Sequence, residues 1–132
     1  MKHIFFLVLL ASMSCNFHAQ IAMGTWRLHV ATGKAIDVAN SDQYIFTAYE
    51  NGILRYDFET KEKKIYTQVQ GLSDIQISSI LFDSLQNALY VGYKNGNIDK
   101  ITPTQTINIS ALAQASIPGS KKINKFYRDE QY

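Results

Sequence analysis

The carboxylates Asp37, Asp42, Asp57, Asp74, Asp83 and Asp99 are the residues of this chain best equipped for chemistry. A calcium loop needs alternate acidic residues in one short stretch, and these are scattered. Asp74 and Asp83 could form a general acid–base pair. Asp74, however, follows Gly71 in a turn-like sequence, and Asp83 closes an apolar run before Ser84, so both read first as structural residues. His29 is the sole histidine beyond residue 20, which leaves no paired-histidine metal site and no histidine-centred triad. A glycine-rich phosphate loop is absent as well. The expectation is a non-enzymatic chain with no catalytic residue, metal or cofactor of its own.

Binding chemistry has more material. Trp26, the one tryptophan, stands beside Arg27 and His29 and could stack on a sugar or a partner protein, although an aromatic near a terminus more often seals a core. Tyr49 and Tyr93 each directly precede a turn signal, which makes them candidates for ligand contact at an exposed rim. The other tyrosines lie on apolar runs and read as packing. The charged stretch "ETKEKK" and the pair Lys121-Lys122 read as solvated loops.

The elements that must position these residues are set by a repeat. "YENGIL" at 49–54 returns as "YKNGNI" at 93–98. A shift of 44 brings Ile36 onto Ile80, Val38 onto Phe82, Phe46 onto Tyr90, Ala48 onto Gly92 and Leu54 onto Ile98. Each copy divides into four strand-like segments. In the first they are "AIDVA", "YIFTAY", "ILRYDF" and "KIYTQV"; in the second, "ISSILFD", "ALYVGY", "NIDKI" and "TINIS". Their β-branched and aromatic content suits pleated sheet. Asn51-Gly52 and Asn95-Gly96 are hairpin signals, since both residues tolerate the positive φ of a type I′ turn.

Four strands per roughly 40–45 residues is the blade period of a β-propeller. The predicted fold is therefore all-β, a partial propeller with blades over 35–76 and 77–120 and a third beginning at 121. A β-sandwich is the alternative, and it would not require the recurrence. A short helical turn is expected at 111–116. Small residues at the shared position of Ala48 and Gly92 suit strands converging on a narrow channel. "INKFYRDEQY" resembles "AIDVANSDQY", so a third blade is expected to break off within its second strand, as in a fragment of a longer protein.

The opening "MKHIFFLVLLASMSCNFHAQ" has a basic start, an apolar run and small residues, the layout of a helical signal peptide over 1–20. Cleavage near Ala19 or Gln20 competes with lipidation at Cys15, the single cysteine. Both readings export the protein. Losing Lys2 leaves 12 basic against 11 acidic side chains, a balance that gives no electrostatic case for nucleic acid. The mature part holds no apolar run long enough to span a membrane. Asn108-Ile109-Ser110 fits a glycosylation sequon, which a bacterial source would leave bare.

Taken together, "GTWRLH", "AYENGILRYD", "QGLSDIQISSILFD" and "YVGYKNGNIDKI" resemble the amino-terminal β-propeller of the PorZ family, surface components of the type IX secretion system of Bacteroidetes. The single-blade pattern is also similar to the propellers of two-component regulators. The first resemblance implies a cell-surface or outer-membrane protein. It implies partners in a sortase-containing attachment complex, and anionic lipopolysaccharide as a further partner that the complex joins to secreted cargo. The second implies a periplasmic ligand sensor. An enzyme completed by groups from later blades is the weakest reading. The residues "TWRLHV" at 25–30 could complete a final blade.

Overall fold

A computed structural model of the chain describes residues 33–129. The signal peptide expected over 1–20, Cys15, Trp26, the strand expected at 25–30 and residues 130–132 lie outside the described residues. Within them, eight strands form two four-stranded antiparallel sheets, each in simple sequence order. The first contains β1 (Asp37–Asn40), β2 (Tyr44–Tyr49), β3 (Gly52–Asp57) and β4 (Lys63–Tyr66). The second contains β5 (Ile77–Asp83), β6 (Ala88–Tyr93), β7 (Ile98–Ile101) and β8 (Thr106–Ile109). A single helical turn, α1 (Ala111–Gln114), follows.

The strands stop where side chains take over the backbone donors. Ser41 accepts from the Gln43 and Tyr44 N–H groups in the β1–β2 turn. Asp57 accepts from Glu59 and Thr60 after β3, and Asp83 from Leu85 and Gln86 after β5. These local bonds offer the chain a turn in place of a longer ladder. The strand expected through "KIYTQV" ends early for the same reason. Thr67 accepts from the Val69 N–H over 3.2 Å, and Gln68–Gln70 winds into one 3₁₀ turn that Gly71 closes at φ 101°.

Ala39, Phe46, Ala48 and Ile53 of the first sheet are buried with Ile77, Ile80, Leu89, Val91 and Tyr93 of the second. Phe46 and Phe82 stack across this seam at 5.6 Å between ring centroids. On the other face of the second sheet, Tyr90 meets Phe126 at 6.3 Å. Tyr90 and Phe126 lie 44 residues beyond Phe46 and Phe82, so one contact is written twice. Ile123 donates its N–H to the Tyr93 carbonyl at 3.2 Å, and the Ser78 hydroxyl donates to the Ile123 carbonyl at 2.7 Å. Residues 121–129 thus begin a third layer. A two-layered sandwich has no place for it, whereas successive propeller blades require it.

Gly92 gives the small-residue position a sharper reason than a narrowing channel. A methyl group there would lie 2.5 Å from Ile123 Cγ2 and 2.7 Å from its Cβ. The next layer sits directly on the glycine.

Candidate interaction surface

The β2–β3 and β6–β7 hairpins share one end of the two sheets. Glu50 in the first and Lys94 in the second occupy the same repeat position, and their charged groups meet at 3.2 Å. Both side chains are about half exposed, so screening keeps this link weak. Lys94 also donates its N–H to the Gln76 carbonyl, and Ile77 donates to the Glu50 carbonyl. The Ile77–Glu50 bond stitches adjacent blades at the rim, while the Lys94–Gln76 bond prolongs the β5–β6 ladder.

The two turn signals close differently. Tyr49 pairs with Gly52, so the first hairpin turns on Glu50-Asn51 and Gly52 already belongs to β3. Neither Asn51 nor Gly52 stands among the described residues at positive φ. The second hairpin has a three-residue loop, 94–96. Gly96 donates to the Tyr93 carbonyl and adopts φ 88°, and Tyr93 donates to the Asn97 carbonyl. That is a type I turn with a bulge glycine, and the type I′ geometry expected at both places occurs at neither. The slip follows from Ile53 and Asn97, which share a repeat position. Ile53 is fully buried opposite Ala48, while Asn97 is polar and stays outside the ladder. In a half-buried strand the inward residue fixes the register.

Tyr93 corrects the expectation of a rim contact. It is fully buried, and its hydroxyl donates to Asp99 Oδ2 at 2.6 Å. Burial and the adjoining Asp99 carboxylate push its ionisation well above the usual tyrosine range. Tyr49 is half-buried on β2, Asn51 is exposed, and Asn95 is exposed with its amide donating to Asp74.

Asp99, which the sequence places only among the scattered aspartates, has a structural role of its own. Completely buried, it accepts from the Tyr93 hydroxyl, the Ser73 N–H at 2.7 Å and the Asn108 amide at 2.9 Å. It ties the connection between the blades to the middle of the second sheet. The signal was the "NID" of the second repeat, an acid at a strand position between Ile98 and Lys100. Asn108 spends the nitrogen of its sequon on this network and on Asn97.

Asp37, Asp57, Asp74 and Asp83 are also bound, whereas Asp42 is exposed. Asp37 accepts from the Ser79 hydroxyl at 3.0 Å and the Ile80 N–H at 2.9 Å, joining the first strands of the two blades. Hydrogen bonds from the Thr60 and then the Glu59 backbone hold the Asp57 carboxyl below the usual range against the opposing effect of burial. Asp83 lies 3.9 Å from Arg128, which donates to Ser84. Asp74 and Asp83 thus serve separate turns. No group of histidine, cysteine and acidic residues suited to a metal occurs among the described residues. Among them, no helix is long and apolar enough to cross a membrane.

Two four-stranded meanders related by a repeated seam, with a third layer begun, define a β-propeller. The family model for the PorZ N-terminal β-propeller domain of the type IX secretion system matches residues 45–132. The chain belongs to this family. It is similar to the solved PorZ of Porphyromonas gingivalis, described as an essential bacterial surface component of the type IX secretion system of that human oral bacterium. Identity is 27%, the TM-score is 0.61, and the match covers 69% of this chain and 12% of that one. No curated protein matches the chain.

Proposed function

We propose that this chain is a non-enzymatic scaffold and binding domain in the surface machinery of type IX secretion. The observation that carries the reading is the double seam: each layer is joined to the next by an equivalent ring contact, Phe46 on Phe82 and Tyr90 on Phe126. Five of the six candidate aspartates, all but Asp42, are engaged in local caps, inter-blade bonds or the Tyr93 network, which favours display over catalysis. The family's tie to type IX secretion supplies the setting. The partners in this reading are the sortase-containing attachment complex and the anionic lipopolysaccharide that it joins to cargo. Trp26 and Tyr49 remain the aromatic candidates for ligand contact. The place of action is the cell surface, reached by export through the segment 1–20.

The test is to tag the protein in its own organism, crosslink intact cells and identify what is captured. Recovery of the sortase with the tagged protein is expected. Capture of a histidine kinase in its place would contradict the proposal and favour a sensor.

A further inference from the structure

At the end of the seam away from the two hairpins, the sheets part to leave a cleft of about 170 Å³. Tyr44, Arg55 and Tyr66 line one side, and Phe82, Asn87 and Thr102 the other. The Arg55 guanidinium lies over the Tyr44 ring, 4.5 Å from its centroid. Directly opposite on the β3–β4 ladder, Lys64 places its ammonium 5.0 Å from the Tyr66 centroid. Like charges facing each other across a ladder repel. Neither cation is in an ion pair among the described residues. Arg55 Nε is buried and donates to nothing, an uncommon state for a guanidinium. Asp57, two places along β3, attracts Arg55 electrostatically, but its oxygens accept from Glu59, Thr60 and Gln43, and no hydrogen bond or ion pair joins it to the guanidinium. Asn87 brings to the cleft a side-chain amide with no hydrogen bond among the described residues.

We propose that this cleft receives one acidic side chain, Asp or Glu, from a partner protein docking on this rim. A carboxylate would relieve the Arg55–Lys64 repulsion and give the fork of Arg55 the acceptor that suits it. The aromatic rings under both cations hold them in place beforehand, which lowers the entropy lost on binding. Size selects the occupant. Small-molecule sites commonly run to about 300–1,000 Å³, whereas a space of about 150 Å³ takes a group no larger than benzene. A single anchoring side chain fits where a larger ligand would not be enclosed. The pocket stands on its own geometry and does not depend on the secretion reading.

The experiment follows the Arg55 Nε–Hε resonance of the isotope-labelled full chain during titration with three probes. These are a blocked Gly-Glu-Gly peptide, its Gly-Gln-Gly counterpart and glucuronate. The expected result is a saturable shift with the glutamate peptide, at least about tenfold weaker with the glutamine peptide because the charge is lost. In Arg55→Lys, shifts of the Tyr44 and Tyr66 rings should need several times more glutamate peptide. Should that variant not fold, Lys64→Gln at the exposed position reports the same loss. Equal shifts with both peptides, no shift, or no effect of either variant would overturn the proposal. A response to glucuronate alone would overturn the protein-side-chain reading in favour of an acidic sugar.

Discussion

Tyr93 donates its phenolic hydrogen to Asp99 over 2.6 Å, and both side chains are fully buried. Truncation to Tyr93→Phe leaves the ring in place and withdraws one donor from a buried carboxylate. The expected loss is about 2 kcal/mol of stability, measured by urea unfolding at neutral pH. The alkaline behaviour carries the sign of the shift. The folded state holds the Tyr93 proton more tightly than the unfolded chain does. Its contribution is therefore complete below the ordinary tyrosine range, near pH ~10, and is lost as pH rises above it. Wild type should lose stability there more steeply than the phenylalanine variant. Parallel curves would show that the pair is not coupled to folding.

Asp37 acts between blades, not within one. Replacing it with alanine strands the Ile80 N–H and the Ser79 hydroxyl at the seam. A loss of about 2 kcal/mol is expected, with asparagine recovering part of it because one acceptor oxygen remains. A change indistinguishable from zero for Asp37→Ala would mean that water replaces the carboxylate at no cost.

Gly92→Ala tests the third layer. The added methyl must displace Ile123, and Phe126 approaches the same point at 3.0 Å. Overpacking of this kind costs about 1–3 kcal/mol. Its local signature should be faster tryptic cleavage at Lys121, Lys122, Lys125 or Arg128, with the two sheets still protected. Cleavage at the wild-type rate would mean that 121–129 is not anchored on Gly92.

Much of this fold was legible because propeller blades repeat both the apolar pattern and the turns. Phe46 with Tyr90, and Val38 with Phe82, gave the period, and the strand runs followed from their residue types. The closure of the hairpins was not legible. The same Asn-Gly dipeptide straddles the end of a two-residue turn at Glu50-Asn51 in one copy and closes a three-residue bulged turn before Asn97 in the other. The choice is made by what the following residue buries across the ladder, which is a tertiary fact. Tyr93 misled for the same reason. Its place before a turn suggested exposure, but its partner Asp99 draws it inward. The Arg55 cleft left no sequence signal, because Tyr44, Arg55, Lys64 and Tyr66 become neighbours only through the register of three strands.

In the proposed function, these blades serve type IX secretion by holding a surface together and not by catalysis. That function is tested most directly by the amount of type IX cargo on the surface of cells whose gene for this protein is deleted and then restored. Wild type and a doubly substituted Asp74→Asn, Asp83→Asn form would be supplied in turn. Deletion should strip the cargo from the surface, and both forms should return it equally, since one amide oxygen is enough for the Leu85 and Gln86 N–H groups at position 83 and, at position 74, only one exposed acceptor is lost. Unchanged cargo after deletion would contradict the assignment to secretion. Failure of the folded double variant alone would contradict the non-enzymatic reading.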